Sequence, residues 1–463
     1  MSEQGDHVIY RVLVFSRDGR EILLTRSGSG LQLPEVSIPE WERVAEKVTY
    51  AMERQWGEVV VCLFEPDWPL PDESSRYIVT RYWRTCESSS ALLRWIPISD
   101  LSDTFFSVPG GMRLVRESLA RCRVPGCETD SDPFTHLNWF EDLCDWAAKA
   151  INTRGLCLTG DFRQLNANAA FSLIRLETNG PAVWFKAVGA PNQREFPITL
   201  TLANDFPKYM PDLIAARPDW NAWLTLEAGT TNLADTRDPS LWRSAAVALA
   251  NLQIESIGKC ERLIASGAHD LTPTSLLETV SPFLEVIAEL MSRQPKFSPP
   301  VLSKGDLAVL NERIRNGISE LLEFEIADTL GHLDLNPGNI IVKSPAKCVF
   351  LDWAEAFVGH PFYTFQYLLE HFRRMVGQDL IAEHAFTSSY LYPWSDLASA
   401  EHLREAMALS PLIAAFAYGA GTNAWRTPER LRDPKVAGYL RALARRMRRE
   451  ADQLSGRSAP CLS

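Results

Sequence analysis

Residues 331–342, GHLDLNPGNIIV, place His332, Asp334 and Asn339 in one short turn that runs straight into a strand-like stretch. A turn needs the Asn, Pro and Gly; it does not need the His and the Asp. An Asp beside a transferable hydroxyl can accept its proton. An Asn and a second acid a few ångströms away can hold Mg²⁺ between phosphate oxygens, and phosphoryl transfer asks mostly for this positioning and charge stabilisation. The segment therefore predicts another acidic residue at the end of a following strand. The stretch IIVKSPAKCVFLDW supplies it, as two short strands and a turn that end at Asp352.

The elements that must position these residues are legible as an α+β pattern. Residues 7–15 and 21–27 read as strands joined by the turn SRDGR, and a helix is expected over 39–56, opening at Pro39 and closing before Gly57. Strands resume with EVVVCLF and RYIVTRYW. Residues 123–135 are rich in turn-formers and acids and read as a linker. A helix, LNWFEDLCDWAAKAIN, follows; Trp139 and Trp146 lie seven residues apart on one face of it and are expected to pack beneath the next sheet. The strand pair AFSLIRLET and PAVWFKAV turns at Asn179-Gly180. From about residue 238 helical periodicity dominates, and in the last helix Leu440, Leu443, Met447 and Leu454 form one apolar stripe with arginines around it.

The spacing His332-x-Asp334-x4-Asn339, followed by Asp352, resembles the catalytic and metal loops of the aminoglycoside phosphotransferase and choline kinase branch of the protein-kinase-like fold. The resemblance implies Asp334 as catalytic base, Asn339 and Asp352 as Mg²⁺ ligands, His332 as a buried brace of the loop, and ATP or GTP as co-substrate. It also implies a lysine on a small-lobe strand and a helix carboxylate to hold it. Lys186 in PAVWFKAV and Glu195 at the start of the following helix stand at family-like positions. Leu226, Glu227 and Ala228 in WNAWLTLEAG resemble the hinge whose backbone meets the base. The stretch RQLNANAAF, where the family's phosphate loop falls, has no glycine; Asn166 and Asn168, with the amides from Asn166 to Ala169, are the candidates there. GHPFYTFQYLL after Asp352 is again similar to the family.

The first domain raises a separate question. LQLPEVSIPEWERVAEKVTYAMERQWGEVVV resembles the Nudix box, with its closing glycine at Gly57. The paired catalytic glutamates then fall on Arg54 and Gln55, the Arg-Glu pair on Tyr50 and Ala51, and the opening glycine on Val36, so that Glu42 alone remains. Hydrolysis of a diphosphate needs clustered carboxylates around a hard cation, and a cation beside Arg54 is repelled. LLRWIPISDL resembles the end of the same domain. The expectation is a degenerate Nudix-like α/β domain over 1–122 and a linker over 123–135. A small lobe with its leading helix over 136–232 and a mostly helical large lobe over 233–463 follow, the last two forming a two-lobed protein-kinase-like fold.

Composition bounds the rest. A formal net charge of −11 argues against nucleic-acid binding, no apolar run reaches the length of a bilayer span, and the N-terminus lacks the basic and apolar regions of a signal peptide. A cytoplasmic location is expected, without membrane partners and compatible with a homo-oligomer. The nine cysteines are scattered and odd in number, which reads as reduced thiols rather than a metal or disulfide framework. The expected function is Mg²⁺-dependent transfer of the γ-phosphoryl of ATP or GTP to a hydroxyl of a metabolite or antibiotic. A catalytically weak nucleotide-binding regulatory module and a Nudix-type hydrolase are the alternatives.

Overall fold

In the computed structural model the described residues are 7–27, 30–68, 75–86, 90–103, 106, 110–123, 132–296, 298–344, 347–377 and 379–457. Most of the expected linker, residues 124–131, lies outside them, as do Cys127 and Cys461. The fold is mixed α+β and divides into two units, residues 1–196 with 212–227, and residues 197–211 with 228–463.

The first unit opens with β1 (His7–Phe15), β2 (Glu21–Ser27), β3 (Gly30–Gln32), β4 (Glu35–Pro39), α1 (Val44–Trp56), β5 (Glu58–Phe64), β6 (Ser75–Thr85), β7 (Leu93–Pro97) and α2 (Gly111–Arg123). The strands form one sheet in the order β3-β2-β1-β6-β5, with β4 against β1 and β7 against β2; β1 and β6 are parallel. Alternation along β1 sorts its side chains between two faces. Val8, Tyr10, Val12 and Val14 join a core with Val48 and Met52 of α1, while Leu13 and Phe15 join another with Leu114 and Val115 of α2. The helix expected from Pro39 starts five residues later. Val36 and Ile38 are buried on alternate positions and pair with β1 as strand β4, which leaves Glu40–Arg43 for the turn. The helix ends as expected, with Gly57 in the left-handed region at φ 74° and its amide donating to the Glu53 carbonyl.

The same unit continues through α3 (Trp139–Asn152), β8 (Leu158–Ala167), β9 (Ser172–Thr178), β10 (Val183–Ala187), the start of α4 (Glu195–Asp205), β11 (Leu213–Arg217) and β12 (Ala222–Leu226). These strands make an antiparallel sheet, β11-β12-β10-β9-β8. Trp139 and Trp146 of α3 both lie against Phe185 of β10.

The two sheets are not separate bodies. Leu13, Phe15, Val61 and Val79 of the first share one buried core with Phe140 and Leu143 of α3 and with Ile174, Val183 and Phe185 of the second. At the sheet edges the side chain of Gln164 on β8 replaces a neighbouring strand. Its amide nitrogen donates to the Cys62 carbonyl at 3.0 Å and its oxygen accepts from the Cys62 N–H at 2.8 Å. An edge strand is thereby capped by one fully buried residue. Arg81 of β6, also buried, reaches Glu141 of α3, and Arg163 of β8 reaches Glu46 of α1.

The second unit is mostly helical: α5 (Pro239–Ser256), α6 (Cys260–Ala265), α7 (Pro273–Ser292), α8 (Lys304–Glu323), α9 (Phe362–Met375), α10 (Leu380–Leu391), α11 (Ala400–Gly421), α12 (Pro428–Leu431) and α13 (Pro434–Arg457). Between them run β13 (His269–Leu271), β14 (Thr329–His332), β15 (Ile340–Ser344), β16 (Lys347–Phe350) and β17 (Ala356–Gly359). β17 pairs with β13 and β14, and β15 pairs with β16. Leu440, Leu443 and Met447 are buried in the helical core and Leu454 packs against it. No helix among the described residues is long and apolar enough to cross a membrane.

Candidate active site

The segment 331–342 is built by its own side chains. Gly331 lies in β14 opposite Phe357 of β17, where a Cβ would meet the Phe357 ring at 2.1 Å, so the strand approaches only because this residue has none. His332, Leu333 and Leu335 are buried, and Asp334 is left partly exposed among them. Asn336 caps the next turn by accepting from the Gly338 N–H at 2.9 Å, and Pro337 fixes the first position of that turn. Asn232 donates to the Gly338 carbonyl at 2.7 Å.

His332 and Asn339 hold the main chain at Asp334. The His332 ring is buried; Nδ1 accepts from the Asp334 N–H at 3.1 Å and Nε2 lies 3.1 Å from the Leu351 carbonyl. With Nδ1 accepting, the proton sits on Nε2, and burial lowers the ring's pKa and keeps it neutral. The brace therefore ties the loop to the residue that precedes Asp352. Asn339 donates from Nδ2 to the Asp334 carbonyl at 3.0 Å, and its own carbonyl accepts from the Leu351 N–H at 2.9 Å. The structure thus draws Asp334, Asn339 and the Leu351–Asp352 strand end together around one imidazole.

Asp352 adopts φ 62° and ψ 63°, left-handed for a residue with a side chain. Such a backbone costs about 1–3 kcal/mol and persists where surrounding structure enforces it. Here Phe350 and Trp353 are buried on either side. A carboxylate and an amide oxygen are hard donors that suit Mg²⁺, which takes one or two protein ligands and completes its shell with phosphate and water. Since Nδ2 of Asn339 is spent on Asp334, its Oδ1 is the atom left to coordinate. The donor set fits the metal. Among the described residues no group of three or more His, Cys, Asp or Glu gathers as a metal cage.

Sequence reasoning missed Tyr367. Its hydroxyl donates to Asp334 Oδ1 at 3.1 Å. Burial, and then the charge of Asp334, raise its pKa, so it stays a donor. Helix α9, which carries it, is fixed to the loop where the His332 N–H donates to Thr364 Oγ1 at 2.8 Å. A signal was present: Tyr363, Gln366, Tyr367, Glu370 and Arg374 recur at helical spacing as a polar stripe beside the buried Phe362, Phe365, Leu368, Leu369 and Phe372.

In the first unit, Lys186 of β10 reaches Glu195, the first residue of α4; Nζ lies 2.5 Å from Oε1, and the carboxylate is almost fully buried. Nζ also lies 5.8 Å from the Trp223 ring centroid on the neighbouring strand. Asn166 sits near the end of β8. Asn168 closes the hairpin on itself, its Oδ1 accepting from the N–H groups of Ala170 and Phe171 at 2.9 and 2.7 Å, while its own N–H donates to the Phe171 carbonyl at 2.8 Å. Leu226 and Glu227 have their amides engaged by the Asp212 and Ala182 carbonyls. The Glu227 carboxylate takes both arms of Arg175, at 3.0 and 2.9 Å, and its pKa is lowered by that pair. Ala228 is the first residue of the second unit's longer stretch.

In the segment resembling a Nudix box, Glu42 is paired with Lys47 at 3.2 Å, and Arg54 lies over the exposed ring of Tyr50. A cavity of about 1010 Å³ between α7 and α12 contains none of the loop residues.

Comparison with known proteins gives the following. No curated protein matches the chain. Among solved structures, macrolide 2'-phosphotransferase MphH from Brachybacterium faecium is 16% identical over 66% of this chain and 98% of its own, with a TM-score of 0.42. Choline kinase LicA from Streptococcus pneumoniae is 15% identical over 68% and 99%, with a TM-score of 0.42. The Plasmodium vivax ethanolamine kinase is 13% identical over 75% and 95%, with a TM-score of 0.46. Residues 222–399, which contain His332, Asp334, Asn339, Asp352 and Tyr367, match the model of the phosphotransferase enzyme family, APH.

Proposed function

We propose that the chain is a small-molecule phosphotransferase that moves the γ-phosphoryl of ATP or GTP to an alcohol, with Mg²⁺. The observation that carries this is the Asp334 carboxylate. It is presented by a loop whose other polar residues serve to hold it, and it lies inside the stretch that matches the phosphotransferase family model. Asp334 accepts the proton of the acceptor hydroxyl as the bond from that oxygen to the γ phosphorus forms and the bond from phosphorus to the leaving nucleoside diphosphate breaks. His332 and Asn339 keep the carboxylate's main chain in place. Lys186, oriented by Glu195, binds the α and β phosphates. Asn339 Oδ1 and Asp352 would hold Mg²⁺, which would supply positive charge against the developing charge of the phosphates. Leu226, Glu227 and Ala228 are assigned to the base; with the first two amides engaged, that contact falls to carbonyls or to Ala228.

The self-closed hairpin at Asn168 favours a second reading, a nucleotide-binding module of weak activity. For residues 1–122 we retain a degenerate Nudix-like fold without hydrolysis, supported by a helix that ends on Gly57 and by the pairing of Glu42 with Lys47 instead of with other carboxylates.

The test is acceptor-dependent ADP release across a panel of metabolites and antibiotics with ATP and Mg²⁺. Asp334→Asn should lower turnover by about 10² or more while nucleotide still binds. Near-normal turnover in that variant removes Asp334 from the chemistry.

A further inference from the structure

A cavity of about 420 Å³ within the second unit is lined by His332, Leu333 and Tyr367, and it falls in the size range of small-ligand sites. One wall is the polar stripe of α9, including Tyr367, Glu370 and Arg374. The other brings Tyr418 from α11 and Tyr439, Arg446 and Arg449 from α13. Tyr367 connects the cavity to the chemistry, because the ring that lines it carries the hydroxyl bonded to Asp334. A molecule filling this space reaches the carboxylate through that residue.

The charge of the lining is unequal. Its one carboxylate, Glu370, is already engaged by Arg446 and lies 3.8 Å from Arg374. Glu450 acts on Arg446 and on Arg373, but it does not line the cavity, and Arg373 is paired with Glu383. Three guanidinium groups therefore face the space against one neutralised acid. Arg446 is partly buried, and burial works against its charge; Glu370 offsets part of that cost, and an incoming anion would add to that offset. The stacked Tyr367 and Tyr418 rings, 5.8 Å apart, add hydroxyls on an aromatic wall.

We propose that this cavity is the acceptor subsite, and that it selects an alcohol carrying an anionic group, carboxylate or phosphate, held by Arg374, Arg446 and Arg449 while the hydroxyl turns to Asp334. The proposal rests on the phosphotransferase reading. Planar guanidinium forks match both anions in the same way, so the two sources share one chemistry and are separated only by the assay.

The experiment measures ADP release with a library of hydroxylated metabolites divided into anionic, neutral and cationic members, the anionic ones split into carboxylates and phosphates. Turnover should be confined to anionic members. Arg449→Ala, at an exposed position where the fold tolerates change, should raise the acceptor KM at least tenfold with the ATP KM unchanged, and Arg449→Lys should restore part of it. Turnover of neutral or cationic alcohols, or an anionic acceptor whose KM ignores both Arg449→Ala and Arg446→Ala, overturns the anion assignment and leaves phosphotransfer standing. No turnover of any member, by protein that still binds Mg-ATP in calorimetry, sinks the proposal and the phosphotransferase reading together.

Discussion

Two short polar turns, 332–339 in the second unit and 163–171 in the first, use similar residues to opposite ends. In the first-named, the side chains of His332, Asn336 and Asn339 bind main chain, and the carboxylate of Asp334 is left for Tyr367 and an incoming group. In the second, Asn168 spends its oxygen on the amides of Ala170 and Phe171, which closes those donors to any ligand. Both turns are closed by their own side chains, but in 332–339 the neighbours of Asp334 make those bonds, whereas in 163–171 the asparagine that could serve a ligand is itself the closing group. Residue types alone do not distinguish the two, since both are rich in Asn.

The largest effect that could break this contrast belongs to Asp352. Asp352→Ala should weaken Mg-ATP binding by about 10² or more, because phosphate oxygens lose their bridge to protein; calorimetry showing unchanged affinity would remove the metal assignment. Next is Tyr367→Phe, a change at a positioning residue. It should lower kcat about tenfold with the ATP KM unchanged, because the carboxylate loses the hydroxyl that aims it. A lower rate accompanied by an equal rise in the ATP KM would mean that Tyr367 only packs.

Acid should separate the units further. Burial lowers the pKa of His332 and takes that of His360 to about 3, against an ordinary 6.5. Both are depressed, so their stabilisation is present above about pH 6.5 and is lost as pH falls below it, where the unfolded chain takes protons that the folded chain refuses. Asp328 opposes them: burial, and then Asp270, raise its pKa to about 6, so the folded state binds its proton first. Burial depresses His371 as well, so the histidines outweigh the one acid and the second unit loses stability as pH falls below about 6.5. Hydrogen exchange at pH 5.5 and 7.5, corrected for intrinsic rates, should show amides of 332–342 opening about tenfold more readily in acid and those of 163–171 unchanged. The smallest effect is expected from Asn168→Gly, which frees two amides and should lower the nucleotide KM about threefold. A rise instead would show that the Asn168 side chain itself serves the phosphate.

What the sequence made legible follows from how local each signal is. The strands over 7–15 and 21–27, the helix stop at Gly57 and the hairpin that ends at Asp352 are written in alternation, turn residues and a left-handed glycine, all within a few positions. The strand 35–39 is not legible, and the helix is expected to open at its last residue, Pro39, because two buried residues are too few to set a period and the partner strand β1 lies far off in sequence. Tyr367 was hidden for the same reason: its meaning comes from Asp334, a residue on another element. The positions of Lys186, Glu195 and Asp352 could be named in advance. The turning of Asn168 onto its own loop could not, because a side chain's choice between a neighbouring amide and a ligand is decided by backbone geometry.

The shared interior of the first unit bears on how such a chain can be rebuilt or inherited. Phe140, Leu143 and Phe185 find part of their packing on Leu13, Phe15 and Val79, and Gln164 completes the edge left open at Cys62. Cutting at residue 122 would strand two amide-bonding groups and strip an apolar wall from both sides, so neither fragment should be recovered as a soluble body. Transplanting residues 136–463 onto another leader would meet the same obstacle. The N-terminal sheet behaves less as an accessory module than as a wall of the room it stands in, and recombination could exchange it only together with the sheet it encloses.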